Sequence, residues 1–299
     1  MIIDIADLDC VFLSFDEPKK EEFWIKIQNM VPWAKRVDGV VGSDAAHKAA
    51  ADASDTDRFI LIDGDNIPDP EFFNLQLNLD ETSSKAVFRW KARNHINGLQ
   101  YGNGGLSCWT KEFVYNMRTH EASDGSDTTA VEFCFDPFYW AMHDCYSTTY
   151  PNQSPFQAWR AGFREGVKMC LDRGTRLSAN EFKQRAHARN LDSLCIWQSI
   201  GADVQNGLWA ILGARLGTHR VLGNPGWDYR EVQDFMALQK IWDELQEVEL
   251  NVESDLILLS DKMREQYGLN VVDMDADQSA FFKHHYKSGF RNTGIMSRE

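Results

Sequence analysis

Phe59-Ile60-Leu61-Ile62-Asp63-Gly64-Asp65-Asn66 is the stretch from which the rest of the chain can be read. Four apolar residues predict a buried strand, and Gly64 forces a turn from which two carboxylates, one residue apart, project. Hard divalent cations such as Mg²⁺ or Mn²⁺ take oxygen ligands of this kind and keep open positions for substrate phosphate. Asp63 and Asp65 are therefore candidate metal ligands. Asp, Gly and Asn are also ordinary turn residues, so the flanking chain has to decide between a metal site and a plain turn.

Upstream, Cys10 to Phe15 predicts a first strand that opens into a loop at Asp16-Glu17-Pro18. Phe23, Trp24, Ile27 and Met30 recur at helical spacing before Pro32, and Ser43 is the expected N-cap of a small-residue helix leading to the central strand. Strand, helix, short strand, helix, strand is the order of an α/β fold with a mainly parallel sheet, whose ligands collect at the carboxyl ends of the strands. Asp16-Glu17 and Asp63-Asp65 both fall at such ends.

Downstream, Ala86 to Trp90 predicts a strand, followed by a glycine- and amide-rich loop over 95–105 that either approaches a ligand or makes a hairpin turn. Val131 to Trp140 predicts an aromatic-rich strand with Glu132 and Asp136 on one face. Ser154-Pro155 starts a helix expected to end at Gly174, with further helices over 179–188 and 190–200. Asp203 precedes an apolar helix, a short strand over Thr218 to Leu222 is expected, and helices over about 228–248 and 253–267 lead to a basic, aromatic tail.

The chain has 299 residues, 43% of them hydrophobic, enough for one large α/β domain or two small ones. Its net charge of −14 argues against a surface that binds polyanions everywhere. Local basic patches remain, one from Arg173 to Arg189, the other holding Lys283, His284, His285, Lys287 and Arg291. Six cysteines without C-x-x-C spacing indicate neither a zinc site nor a disulfide framework. The apolar runs are too short to span a membrane, and the amino terminus has acidic residues where a signal peptide is basic, so no membrane partner and a cytoplasmic setting are expected.

The order CVFLSFDEP, VDGVVGSDAAHKAAADAS, FILIDGDN resembles the nucleotide-sugar half of GT-A glycosyltransferases, and GNGGLSCW is similar to the acceptor-side glycine segment of that fold. With its YGNGG loop and SPFQAWRAGFREGVKM helix, the chain looks like small glycosyltransferases of tailed bacteriophages, some of which modify viral DNA bases. The resemblance implies a GT-A-like catalytic domain over 1–225, divided into a nucleotide-sugar half (1–115) and an acceptor half (116–225), with C-terminal helices and a basic tail over 226–299. It further implies a donor linked to UDP, Mn²⁺ or Mg²⁺ on Asp63 and Asp65, and Asp16 and Glu17 beside the nucleotide. The tail HHYKSGFR loosely resembles a C-terminal segment that completes the metal and diphosphate site, which would make His285 a third metal ligand and bring Lys287 and Arg291 to the phosphates. Asp203 is similar to the acidic residue holding the catalytic base of inverting members, with Asp136 the second choice. The implied acceptor is a hydroxylated or hydroxymethylated pyrimidine in phage DNA, and the implied location is then the host cytoplasm. Trp90, Tyr101, Trp109, Tyr139 and Trp140 are the aromatics that would stack on such a base.

Two other readings use the same residues. A nucleotidyltransferase also relies on strand-end carboxylates, but SFDEPKKEEFW lacks the glycine expected of a triphosphate loop. A non-catalytic nucleotide-sugar-binding module would keep the fold, with DGDN only a turn.

Overall fold

A computed structural model describes residues 1–101, 105–117, 119, 133–134, 136–248 and 251–286. The strands are β1 (Ile2–Asp4), β2 (Asp9–Ser14), β3 (Lys35–Asp38), β4 (Arg58–Asp63), β5 (Asn66–Pro68), β6 (Gln76–Asn78), β7 (Val87–Asn94), β8 (Gln100–Tyr101), β9 (Leu106–Thr110), β10 (Tyr139–Thr149), β11 (Leu171–Asp172) and β12 (Thr175–Arg176). The helices are α1 (Lys20–Met30), α2 (Ser43–Ala53), α3 (Lys111–Asn116), α4 (Pro155–Lys168), α5 (Ala179–Arg185), α6 (Ala188–Trp197), α7 (Gly207–Gly223), α8 (Phe235–Gln246), α9 (Val252–Tyr267) and α10 (Ala276–His285).

An eight-stranded sheet runs β3-β2-β4-β9-β7-β10-β5, with β8 paired to β7. The fold is α/β with a mixed sheet flanked by helices, as the sequence predicts, and three of its seven pairings are parallel. β2 pairs parallel with β3 and β4, and β10 with β7. The β4–β9, β7–β9, β7–β8 and β10–β5 pairings are antiparallel. The central strand is covered on both faces, which is why its apolar run is continuous. Ile60 and Ile62 face a core shared with Phe23 and Ile27 of α1, while Phe59 and Leu61 face Ala50 and Ala51 of α2 and Val114 of α3. Each of these strand side chains is at most 1% exposed, worth about 1.5–3 kcal/mol apiece in removed apolar surface.

This pattern of directions determines where chemistry can gather. The carboxyl ends of β2, β4, β7 and β10 and the start of the reversed strand β9 all lie along one edge. Ser14, Asp63, Asn94, Thr149 and Gly105 are therefore neighbours at the rim of one cleft.

Several expectations are corrected. Residue 42, a glycine at φ 92°, caps α2 in place of Ser43, which is the first helical residue. Asp136 lies in a turn, its carboxylate accepting the Phe138 N–H at 2.8 Å, because Pro137 cannot donate to a ladder. The strand instead starts at Tyr139 and runs on to Thr149; Glu132 falls outside the described residues. α4 ends at Lys168, and Arg173 (φ 49°) and Gly174 (φ 80°) turn the β11–β12 hairpin. Thr218 to Leu222 is the last part of α7, where Thr218, Val221 and Leu222 are buried at helical spacing, so packing overrides β-branched propensity. The tail is helical over α10. All six cysteines are free, and no helix among the described residues is long and apolar enough to cross a membrane.

Candidate active site

The cleft has a volume of about 750 Å³ and holds the acidic centre on its floor. Asp63 ends β4, its N–H donating to Gly105 O at 2.9 Å, which fixes where the turn leaves the sheet. Thr149 donates its hydroxyl to Asp65 Oδ2 at 3.1 Å, and the Tyr150 N–H donates to Asp65 O at 2.7 Å. Glu17 reaches the same place from the end of β2. Its carboxylate lies close to Gly64, where an added Cβ would meet Glu17 Oε2 at 2.6 Å and displace that side-chain tip.

Electrostatics single out this trio. Burial raises Asp63 well above the ordinary carboxylate range, and the charges of Asp65 and Glu17 push it further. Burial also raises Asp65, offset in part by the Thr149 hydrogen bond and the field of Arg160. Glu17 is raised by burial first, with Asp65 and Asp16 adding to it. Three half-buried carboxylates with too few cations around them are a site that favours a bound cation. Among the described residues, no three His, Cys, Asp or Glu side chains converge on a single point. The donor set fits a hard cation held by Asp63 and Asp65, with remaining positions left to water and substrate, the habit of Mg²⁺.

Of the other sequence-predicted residues, Asp16 sits beside the cleft in an ion pair with Arg160 at 3.6 Å. Asp203 does not line the cleft; it pairs with Lys283 Nζ at 2.6 Å behind the turn 94–98. His285 lies on α10 against Phe281 and His284 and is not brought to the carboxylates. Lys287 and Arg291 fall outside the described residues. Tyr101, Trp109 and Tyr139 line the cleft, whereas Trp90 packs in the core. Gly105 makes room for the side chain of Asn66, whose amide a Cβ would meet at 2.1 Å, and Gly98 (φ 75°) turns the chain; within the described part of this loop the glycines serve the fold.

Two cleft residues were not anticipated from the sequence. Arg89 lies over the Tyr139 ring at 3.8 Å at one end, next to His47, Trp109 and Phe133. Arg164 stands at the other end on α4, with Glu165, Lys168 and Phe235. The signal for the second was present: Arg160, Arg164 and Lys168 recur every four residues in WRAGFREGVK, a single basic stripe on a helix. Glu165 is held by Tyr101 Oη, which donates to Oε2 at 3.1 Å and accepts from Trp197 Nε1 at 3.1 Å, and by Lys168 Nζ on Oε1 at 3.1 Å.

Comparison with protein-family models, curated proteins and solved structures finds no match to this chain.

Proposed function

We propose that the protein is a metal-dependent glycosyltransferase that moves a sugar from a nucleoside diphosphate donor to an acceptor hydroxyl. The observation that carries this reading is that Asp63, Asp65 and Glu17 line one cleft at the sheet edge, where burial and mutual repulsion raise all three carboxyls and a bound cation would hold them ionised. A divalent metal bound there would supply Lewis-acid stabilisation of the departing diphosphate. Thr149 orients Asp65, and the Phe15 N–H holds the Glu17 carboxylate beside the turn. The arm of the cleft beside Phe15, Val40, Gly42 and His47 has the apolar and aromatic lining that suits a nucleobase.

Inversion at the sugar would require a carboxylate to take the acceptor proton. Besides the trio, the carboxylates lining the cleft among the described residues are Glu165 and Asp234. Asp234 is engaged in capping α8 through the Met236 and Ala237 N–H groups, and Glu165 is held by Tyr101 and Lys168, so Glu165 would act as base only after releasing one of these partners. Following the resemblance, the acceptor we propose is a hydroxylated or hydroxymethylated pyrimidine of phage DNA.

The test is a thermal-shift panel of nucleoside diphosphate sugars with Mn²⁺ or with EDTA, followed by incubation of the stabilising donor with hydroxymethylated duplex DNA and mass spectrometry of the digested nucleosides. Metal-dependent stabilisation by one donor and a nucleoside heavier by one sugar are expected. A protein that neither binds any donor in a metal-dependent way nor turns one over is not a transferase.

A further inference from the structure

The cleft has a second lobe lined by α4 and the segment 233–236 that enters α8. Its central group is Arg164. One guanidinium nitrogen, Nη2, donates to Gln233 Oε1 at 3.2 Å, while Nε is buried without a partner. The field of the adjacent Glu165 carboxylate partly offsets the cost of burying Arg164, and that of Arg160 adds to it. Glu165 is itself engaged by Tyr101 and Lys168, and Arg160, one turn earlier, is engaged by Asp16. A desolvated guanidinium with one neutral partner is costly to maintain. Its planar fork matches phosphate and carboxylate oxygens.

Phe235 stands at the mouth of the lobe, 45% exposed, with the Arg160 and Arg164 guanidiniums 4.5 and 5.5 Å from its ring centroid. The two cations pack on the ring, and its exposed surface gives a flat apolar face beside the guanidinium whose Nε lacks a partner.

Building on the transferase reading above, we propose that this lobe seats the acceptor and selects one that carries an anionic group, a phosphate or a carboxylate, beside its ring. Arg164 takes the anion and Phe235 takes the face of the ring. The acidic turn excludes the same anion in the absence of metal, which keeps donor and acceptor in register along the cleft.

The probes are deoxycytidine 5′-monophosphate against deoxycytidine, and glucose 6-phosphate against glucose, titrated calorimetrically in EDTA. At least one phosphorylated probe should bind about tenfold tighter than its uncharged counterpart, the effect of one charge-assisted pair. The pair with the larger difference distinguishes a nucleotide from a sugar phosphate as the source of the anion. Arg164→Gln should abolish the preference. Phe235→Glu, at an exposed position outside the core, should abolish it by repulsion even if Arg164→Gln folds poorly. Asp65→Asn should leave it within about twofold, because the anion does not sit on the acidic turn.

Equal binding of charged and uncharged probes overturns the proposal, as does a preference that survives Phe235→Glu or one lost in Asp65→Asn. The transferase reading fails separately, if Mn²⁺-dependent UDP binding is absent from the wild type while the Arg164-dependent preference persists.

Discussion

Asp63, Gly64 and Asp65 combine charge and steric demand within three residues, and the two can be separated by substitution. Asp65→Asn keeps the shape and the Thr149 contact but removes one of the repelling charges. Metal-dependent donor stabilisation should vanish, while the metal-free protein should melt roughly 2 °C higher, the scale of about 1 kcal/mol in a chain of this size. The sign with pH follows from the raised folded-state values of Asp63, Asp65 and Glu17. At a pH below about 4, the unfolded carboxylate value, both states are protonated and the group makes no difference. As pH rises from there through the folded values, the unfolded state releases its protons first, so stability is lost. Other carboxylates, such as Asp9 and Asp38, are lowered by their partners and slope the opposite way. The informative quantity is therefore the difference between variant and wild type in urea denaturation with EDTA. It should favour Asp65→Asn increasingly from pH 4 to pH 8, and a difference independent of pH would remove the electrostatic argument.

The α4–α7 crossing is the element-scale feature on which the second lobe depends. Gly162 and Gly166 on α4 lie against Ala210 and Ala214 of α7, and Gly213 and Gly217 on α7 against Trp159 and Phe163 of α4, so closely that added Cβ atoms would meet backbone carbonyls. A Cβ on Gly162 would lie 1.9 Å from Ala210 O, and one on Gly213 would lie 2.1 Å from Trp159 O. Backbone cannot move aside as a side-chain tip can, so Gly162→Ala should destabilise by about 3 kcal/mol through overpacking. Helix propensity alone predicts the reverse, a gain of about 1 kcal/mol. Urea denaturation therefore decides by sign, and a more stable variant would mean that the helices stand apart. The same four-residue glycine spacing in both helices was visible in the sequence, but a spacing identifies neither its partner nor the direction of approach. Ser154 and its Pro155 successor, by contrast, marked the start of α4 correctly, because capping is a contact between near neighbours: Ser154 Oγ accepts from the Gln157 N–H at 3.2 Å.

At the scale of the whole molecule, α10 returns to the sheet edge. Lys283 pairs with Asp203 at 2.6 Å and reaches His95 O at 3.4 Å, and Phe282 and Tyr286 pack on the cluster around Ile96. Lys283 therefore ties the C-terminal helix to the 94–98 turn, and Asp203 neutralises it there. Asp203→Asn should cost about 3 kcal/mol, as removal of one partner of a mostly buried pair does, while transfer keeps kcat within about twofold. A loss of turnover near a hundredfold at unchanged stability would restore Asp203 as the base. What the sequence by itself determined was local: that 59–62 is a buried strand, that Gly64 turns it, that two carboxylates leave its end, and that helices begin near residues 20, 43 and 155. These follow from periodicity, turn chemistry and capping, which act over a few residues. Only the tertiary structure decided that Glu17 meets Asp63 and Asp65, that Asp203 and His285 do not, and that Arg164 faces the same cleft. Strand direction decides those meetings, and each half of a mixed sheet can be written in the same apolar alternation, since parallel and antiparallel partners bury the same side chains. The candidate site residues were legible one at a time, and their assembly depended on the order and direction in which β9, β7 and β10 join β4.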